Sequence, residues 1–465
     1  MKNNNVISVK DHKQDITLTV KGLYFFQGFQ VLESYTPQND ECYYLFFYKN
    51  RFLTGKKTAK IKQKSYLKLI LTKGIFIPSP HPLLSSFLSN QSIQTFTTLI
   101  TLWKTINNTY QKTEAFHILT AFDCYLKKED ILSLMKKAFL QFRRSGKFLH
   151  AYRILRLAQE KYPTNKWSNS LITHIDYQKY SIRYQSEIEA LLTYDPLHAE
   201  NQLYLHKEAD HIYALLQKKL RSESRILECL ALHLHNLSTN PHSFNHYFDE
   251  IQVILHSNFT KQEAISILYN LYNQQSSNEN KDKVQQHLLS ILVSAKQYKD
   301  IFTILTENPT SLSPSQTDLL VEAINHLDGK SLSFETFQAE HLASTNGQQL
   351  EKLIVTLLPR LFETHDIKYT YNWLQPFMHL PLPSINTIKK MYEISEEPDK
   401  QLDMGELYYE LKQLPQAIDC FLWDIEMNPT NSIPIRWLIK LYGELGMVEE
   451  SKSYQYLYKQ IQKSS

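Results

Sequence analysis

Glycine is scarce: 10 of 465 residues, about 2% against a usual ~7%. That scarcity excludes Gly-rich phosphate loops, dinucleotide-binding turns and a barrel with many tight turns, because those need residues at positive φ. A chain so poor in glycine is most easily built from helices joined by short turns. Cysteine is scarcer still. Cys42, Cys124, Cys229 and Cys420 stand far apart with no CxxC pair, which removes zinc ribbons and redox motifs. Reduced thiols and a cytoplasmic location are the expectation. The opening MKNNNVISVKDHKQD lacks an apolar core, so no signal peptide is expected. No run of roughly 18 apolar residues occurs, so no transmembrane segment is expected either.

Sequence signatures of enzyme chemistry are missing too. No GxSxG, P-loop, HExxH or DxDxG pattern occurs. No catalytic residue, cofactor or metal site is predicted, and the chain reads as a non-enzyme. His233, His235, His242 and His246 crowd one short stretch. On a helix the first two are about 200° apart and cannot share a metal. His242, His246 and Glu250 have a spacing that zinc accepts, but partly exposed surface histidines are the plainer reading. Glu396-Glu397 and Glu449-Glu450 fall in polar turns or helix starts, where carboxylates favour the helix dipole.

What is present is a foldable composition, 42% apolar and 21% charged. Charge is uneven. Residues 1–113 hold 15 Lys/Arg and 5 Asp/Glu, and residues 114–465 hold 36 and 42. No acidic residue lies between Glu41 and Glu114. Residues 1–82 form a small basic module. Ile16 to Val20 alternates like a half-buried strand, and Lys49-Asn50 separates two strand-like runs, Tyr43 to Tyr48 and Arg51 to Thr54. Leu69 to Thr72 and Ile75 to Ile77 flank Lys73-Gly74 in the same way. Short helices are the competing reading, since Leu23 to Tyr35 also fits one. Three prolines between Pro78 and Pro82 mark the boundary.

From residue 83 to 465 apolar residues recur at three and four, the helical period. Breaks fall at Ser145-Gly146-Lys147, Tyr162 to Asn165 and Glu307-Asn308-Pro309; Gln274 to Lys281 and Asn308 to Ser315 read as longer loops. Residues 83–200 are predicted to hold N-terminal repeats, 201–397 divergent hairpins and 398–465 a tandem pair.

A repeat is visible at the C-terminus: Met404-Gly405-x-x-Tyr408, Ala417-x-x-x-Phe421, then Pro429. These spacings resemble the tetratricopeptide (TPR) pattern. Gly405 and Ala417 are expected to face each other at the helix crossing. Asp424 stands where the family usually has Ala. A second copy follows from Ser432, with Leu438, Tyr442, Gly446 and Ser451 in corresponding places. Upstream, Phe142, Gly146, Phe148, Ala151, Leu155, Ala158 and Pro163 share the register of Tyr408, Lys412, Leu414, Ala417, Phe421, Asp424 and Pro429. A further copy is expected to end at Tyr194-Asp195-Pro196, and Gln297 to Pro309 looks like a shortened second helix.

The resemblance implies a mainly α fold, a TPR-like α-solenoid of stacked hairpins, serving as a scaffold that holds another protein or peptide in its groove. Carried over by register, the groove positions are Lys136, Leu140 and Arg143 upstream, Glu406, Tyr409 and Glu410 in the penultimate repeat, and Arg436 and Lys440 in the last. Lys136 and Arg143 suit acidic side chains or a C-terminal carboxylate. The plain alternative for each is a solvated surface.

The segment Lys49 to Lys73 has nine Lys/Arg and the aromatics Phe52 and Tyr66, with Tyr48 just before it and Phe76 just past its end, and suggests a second role. Lys56, Lys57, Lys60, Lys62 and Lys64 are candidates to bind a polyanion: single-stranded nucleic acid by phosphate neutralisation and stacking, or an anionic membrane. The same charge could instead dock on the acidic remainder of the chain.

Overall fold

The computed structural model describes residues 6–11, 14–38, 40–89, 91, 95–239, 243–306, 312–332, 334, 342 and 347–464. It is 67% helical, with 24 α-helices and one antiparallel sheet among the described residues. The chain divides into two compact units, Met1–Lys281 and Asp282–Ser465.

The sheet lies in the first unit. Its strands are β1 (Val6–Asp11), β2 (Gln14–Phe26), β3 (Phe29–Tyr35), β4 (Cys42–Tyr48), β5 (Arg51–Lys57) and β6 (Ile75–Pro78). The order is β1-β2-β3-β4-β5, with β6 also paired to β2. The long β2 gives residues 14–19 to β1 and residues 22–25 to β6. The expected hairpin at Lys49-Asn50 is present, with both residues at positive φ (47° and 61°), as a two-residue hairpin turn demands. Leu23–Tyr35 is also a hairpin rather than a helix.

Leu69–Thr72 departs from the sequence expectation. It lies in α1 (Tyr66–Lys73), capped by the Ser65 side chain, which accepts from the Lys68 amide at 3.2 Å. Tyr66, Leu67 and Ile70 are its buried residues, a helical spacing that four residues read alone disguise as a strand.

Residues 29–34 of β3 are buried on both faces, which requires cover on both sides of the sheet. On one side Phe25 and Phe47 meet Phe87 of α2 (Pro82–Ser89). On the other, Phe46 meets Phe122, and Phe26 meets Tyr204.

Twelve more helices complete this unit: α3 (Leu99–Thr109), α4 (Lys112–Thr120), α5 (Lys128–Arg144), α6 (Phe148–Lys161), α7 (Lys166–Ile172), α8 (Gln178–Arg183), α9 (Ile188–Tyr194), α10 (Pro196–Leu205), α11 (Asp210–Ser222), α12 (Ile226–Thr239), α13 (Phe244–Asn258) and α14 (Lys261–Gln274). The repeat expected to end at Pro196 is not one regular hairpin. Residues 166–194 form α7, a 3-10 turn at Ile175–Tyr177, α8 and α9.

The second unit takes all but the first turn of α15 (Asn278–Ser294), then α16 (Tyr298–Thr306), α17 (Pro314–Asn325), α18 (Gly347–Phe362), α19 (Ile367–Trp373), α20 (Pro383–Ile394), α21 (Gln401–Glu410), α22 (Leu414–Met427), α23 (Ser432–Glu444) and α24 (Val448–Ser464). The loop expected across Gln274–Lys281 is shorter than that. Asn278 already begins α15, where the Ser277 carbonyl accepts from the Lys281 amide. The expected break at 307–309 lies outside the described residues.

Five hairpins share one turn. Gly146, Ser224, Lys296, Lys412 and Gly446 have φ of 70°, 56°, 55°, 58° and 73°. Each donates its amide to the carbonyl three residues back. The next residue (Lys147, Arg225, Gln297, Gln413 or Met447) donates to the carbonyl five back, at 2.8–3.1 Å. That is the Schellman termination. In every case the next helix begins two residues after the left-handed one. The hairpins so joined are α5/α6, α11/α12, α15/α16, α21/α22 and α23/α24.

In the last two, Ala417, Ile418, Phe421, Leu438 and Leu441 form a buried cluster, with Tyr408 and Trp437 packed against it. Asp424 is buried, and its Oδ2 accepts from Asn431 Nδ2 at 3.2 Å, which satisfies the carboxylate. Ser451 donates its hydroxyl to the Ile439 carbonyl at 3.1 Å and so ties α24 to α23.

Candidate partner-binding face

Of the C-terminal positions carried over by register, Tyr409 and Lys440 meet directly, and Glu406 joins them through Trp437. Glu406 and Tyr409 sit on α21, and Arg436 and Lys440 on α23. Glu406 Oε1 accepts from Trp437 Nε1 at 3.0 Å, and Tyr409 donates its hydroxyl to Glu444 Oε1 at 2.9 Å. The Lys440 ammonium lies 4.3 Å from the Tyr409 ring centroid and 4.7 Å from that of Trp437. A hydrogen bond to Tyr409, with the nearby charge of Glu444, raises the Lys440 pKa. Glu410, Arg436, Lys440 and Glu444 are exposed, whereas Glu406, Tyr409 and Trp437 are half-buried. The result is a charged aromatic strip across two successive first helices. It sets two rigid rings, the side chains enriched at binding surfaces, beside charged groups of both signs.

Trp437 and Glu444 are members that the register transfer omitted. The signal for Glu444 is arithmetic: it follows Glu410 by the same offset that relates Glu406 to Lys440.

Upstream, the three positions sit on α5. The Lys136 ammonium lies 5.5 Å from the Trp167 ring centroid, and Arg143 pairs with Asp176 at 3.5 Å. Leu140 is 45% exposed, large for a leucine on a helix whose other face is core. Both cations therefore already hold partners within their own unit.

Three of the five candidate polyanion lysines are likewise engaged. Lys56 Nζ donates to the Thr97 carbonyl at 3.4 Å, and burial lowers its pKa. Lys57 pairs with Glu41. Lys62 Nζ donates to the carbonyls of Asp123 (2.9 Å) and Leu126 (3.2 Å). Lys60 and Lys64 are exposed. The aromatic part of that expectation is corrected. Tyr48 and Tyr66 are core residues, bonded to Glu114 and Gln27 respectively, and do not offer stacking platforms. Phe76 is 40% exposed and lies against Tyr24, with ring centroids 4.6 Å apart.

The reading of the histidine run as surface residues is corrected at His233 alone, since His235 is half-buried and His246 exposed. His233 is fully buried, bonded to the Tyr213 hydroxyl and 3.5 Å from Cys229 Sγ. Burial pushes its pKa down to about 3. His242 lies outside the described residues, and Glu250 is paired with Arg221. Among the described residues no group of three or more His, Cys, Asp or Glu could hold a metal ion. Nor is any described helix long and apolar enough to cross a membrane.

No protein-family model and no curated protein matches the chain.

Proposed function

We propose that the helical hairpins are TPR-like repeats of an α-solenoid, and that the protein is a non-enzymatic scaffold that binds another protein or peptide along the first helices of its hairpins. The observation that carries this reading is the shared turn. One termination joins five hairpins. Its last two instances, Lys412 and Gly446, are separated by the repeat length of a TPR, about 34 residues. A regular offset lays equivalent residues of successive first helices side by side, and Glu406, Tyr409, Trp437, Lys440 and Glu444 supply the resulting strip with charge and rings.

The test is affinity capture from the source cells with the wild-type chain and with the double variant Tyr409→Ala, Lys440→Glu. A defined partner should be retained by the wild type and lost from the folded variant. Equal retention by both would move the binding surface elsewhere.

A further inference from the structure

A small cleft in the first unit opens between the hairpin turn at Gln27, helix α4 and one face of α6. Its enclosed part has a volume of about 10 Å³, room for the centre of one water molecule, and it is partly open to solvent. Arg153, Arg156, Glu160 and Lys161 line it from α6, at spacings that place them on one helical face. His117 comes from α4, and Asp195 and His198 from the start of α10.

The two carboxylates are already committed. Glu160 accepts from His198 Nδ1, and its other oxygen from Asn201 Nδ2 at 3.5 Å. Asp195 accepts from the Tyr184 hydroxyl at 2.5 Å and from the His198 amide at 3.3 Å, and it lies 3.8 Å from Arg153 Nε. With its proton on Nδ1 facing Glu160, the His198 ring presents Nε2 as an acceptor to Arg156 Nη2 at 3.4 Å.

Arg153 is engaged in part, its Nη2 donating to the Tyr194 carbonyl and its Nε facing Asp195, but the cationic groups as a set are not used up. Arg153 Nε and Arg156 Nε are buried without a hydrogen-bond partner. Among the described residues no carboxylate forms an ion pair with Arg156 or Lys161. Arg156 rests over the Tyr184 ring at 5.0 Å, and the Lys161 ammonium over the Tyr66 ring at 3.6 Å. The fourth group is His117. It is 1% exposed, and its Nε2 lies buried without a partner. A buried polar atom left unpaired costs free energy. Here several such groups converge on one cleft.

We infer that this cleft binds a tetrahedral oxyanion of the phosphate type, one oxygen seated among His117, Arg153, Arg156 and Lys161 and the remainder at the mouth. Arginine forks and a lysine are the side chains suited to such an anion. Burial, with the charge of Lys161, holds the His117 pKa well below its ordinary value, and its buried Nε2 is the atom left to meet the anion. The enclosed space is too small for a whole metabolite, so a phosphomonoester would enter by its phosphate with its organic part outside.

Isothermal titration of the full chain with inorganic phosphate and with phenyl phosphate, at fixed ionic strength, tests this. The wild type should bind both at millimolar concentration or below. A preference for phenyl phosphate would identify an ester as the ligand, and equal binding would identify the free anion. Arg156→Gln and Lys161→Gln should each weaken binding on the order of tenfold, as expected for loss of a charge-assisted contact. Circular dichroism confirms that each variant is folded, and either folded variant alone decides the question. Absence of binding by the wild type, or unchanged affinity in a folded variant, would overturn the assignment.

Discussion

Gly405 lies against the ring of Phe421: a Cβ at that glycine would fall 2.7 Å from Phe421 Cε1. The partner in this close approach is thus Phe421, one turn beyond the Ala417 that the sequence pattern suggested. Phe421 cannot yield, because it is fully buried and stacked on Trp437 with planes 3° apart. Gly405→Leu should therefore force α21 and α22 apart and destabilise the hairpin by about 1–3 kcal/mol. Native-state hydrogen exchange should show the loss concentrated in residues 398–465, since repeat stability is nearly local.

The shared turn makes an opposite-signed pair of predictions. Lys412 holds a left-handed conformation that costs a side-chain-bearing residue about 1–2 kcal/mol. Glycine removes that strain and returns part of it as chain entropy, so Lys412→Gly should stabilise by up to about 1 kcal/mol. Gly446→Ala should destabilise by about 1 kcal/mol. Urea denaturation of the two variants measures both.

Arg225 is 4% exposed and sits among three carboxylates. It holds Glu228 through two bonds (2.9 and 2.7 Å), Glu200 at 2.7 Å and Glu223 at 2.9 Å. Lys219 bridges Glu200 and Glu223. Burial alone would push the Glu223 carboxyl up, but hydrogen bonds from Lys219 and Arg225 bring it down to about 2. Arg225→Met leaves those carboxylates facing one another in the interior. The expected cost is about 3–5 kcal/mol, read as a lower urea midpoint for the first unit.

His81 caps α2: its Nδ1 accepts from the Leu83 amide at 3.1 Å, which requires that nitrogen to be unprotonated. Burial pushes its pKa down to about 4, below the ordinary 6.5 that the unfolded chain keeps. As pH falls from 6.5 to 4 the unfolded state takes the proton first, so stability declines across that window and the contribution is gone below it. The loss is at most about 3 kcal/mol. His81→Asn keeps an acceptor at the cap without the titration, and its thermal midpoint should fall less between those pH values.

Much of the fold is legible in the sequence where a local signal is sufficient. The alternation of Ile16 to Val20 and the Lys49-Asn50 turn locate strands, and Ala417, Phe421 and Pro429 locate a hairpin. Chemistry that depends on partners distant in sequence is hidden. Glu200 lies on α10 and Arg225 just before α12, and nothing in either neighbourhood announces an ion pair. The turn at Ser224 escapes notice because no glycine marks it, and with it the hairpin α11/α12; of α15/α16 only the second helix, within Gln297 to Pro309, is legible, because nothing marks the turn at Lys296. For the candidate face, register finds Glu406, Tyr409 and Lys440. It cannot find Trp437, whose place in the strip depends on the hydrogen bond it makes to Glu406.

Selection of a random peptide library against the full chain tests the central claim most directly, with Tyr409→Ala, Lys440→Glu as the competitor. Enriched peptides should bind the wild type and lose affinity on the order of tenfold or more for the folded variant, as removal of a hot-spot aromatic and reversal of an adjacent charge require. Peptides that bind both chains equally, or no enrichment at all, would contradict a partner-binding role for this face.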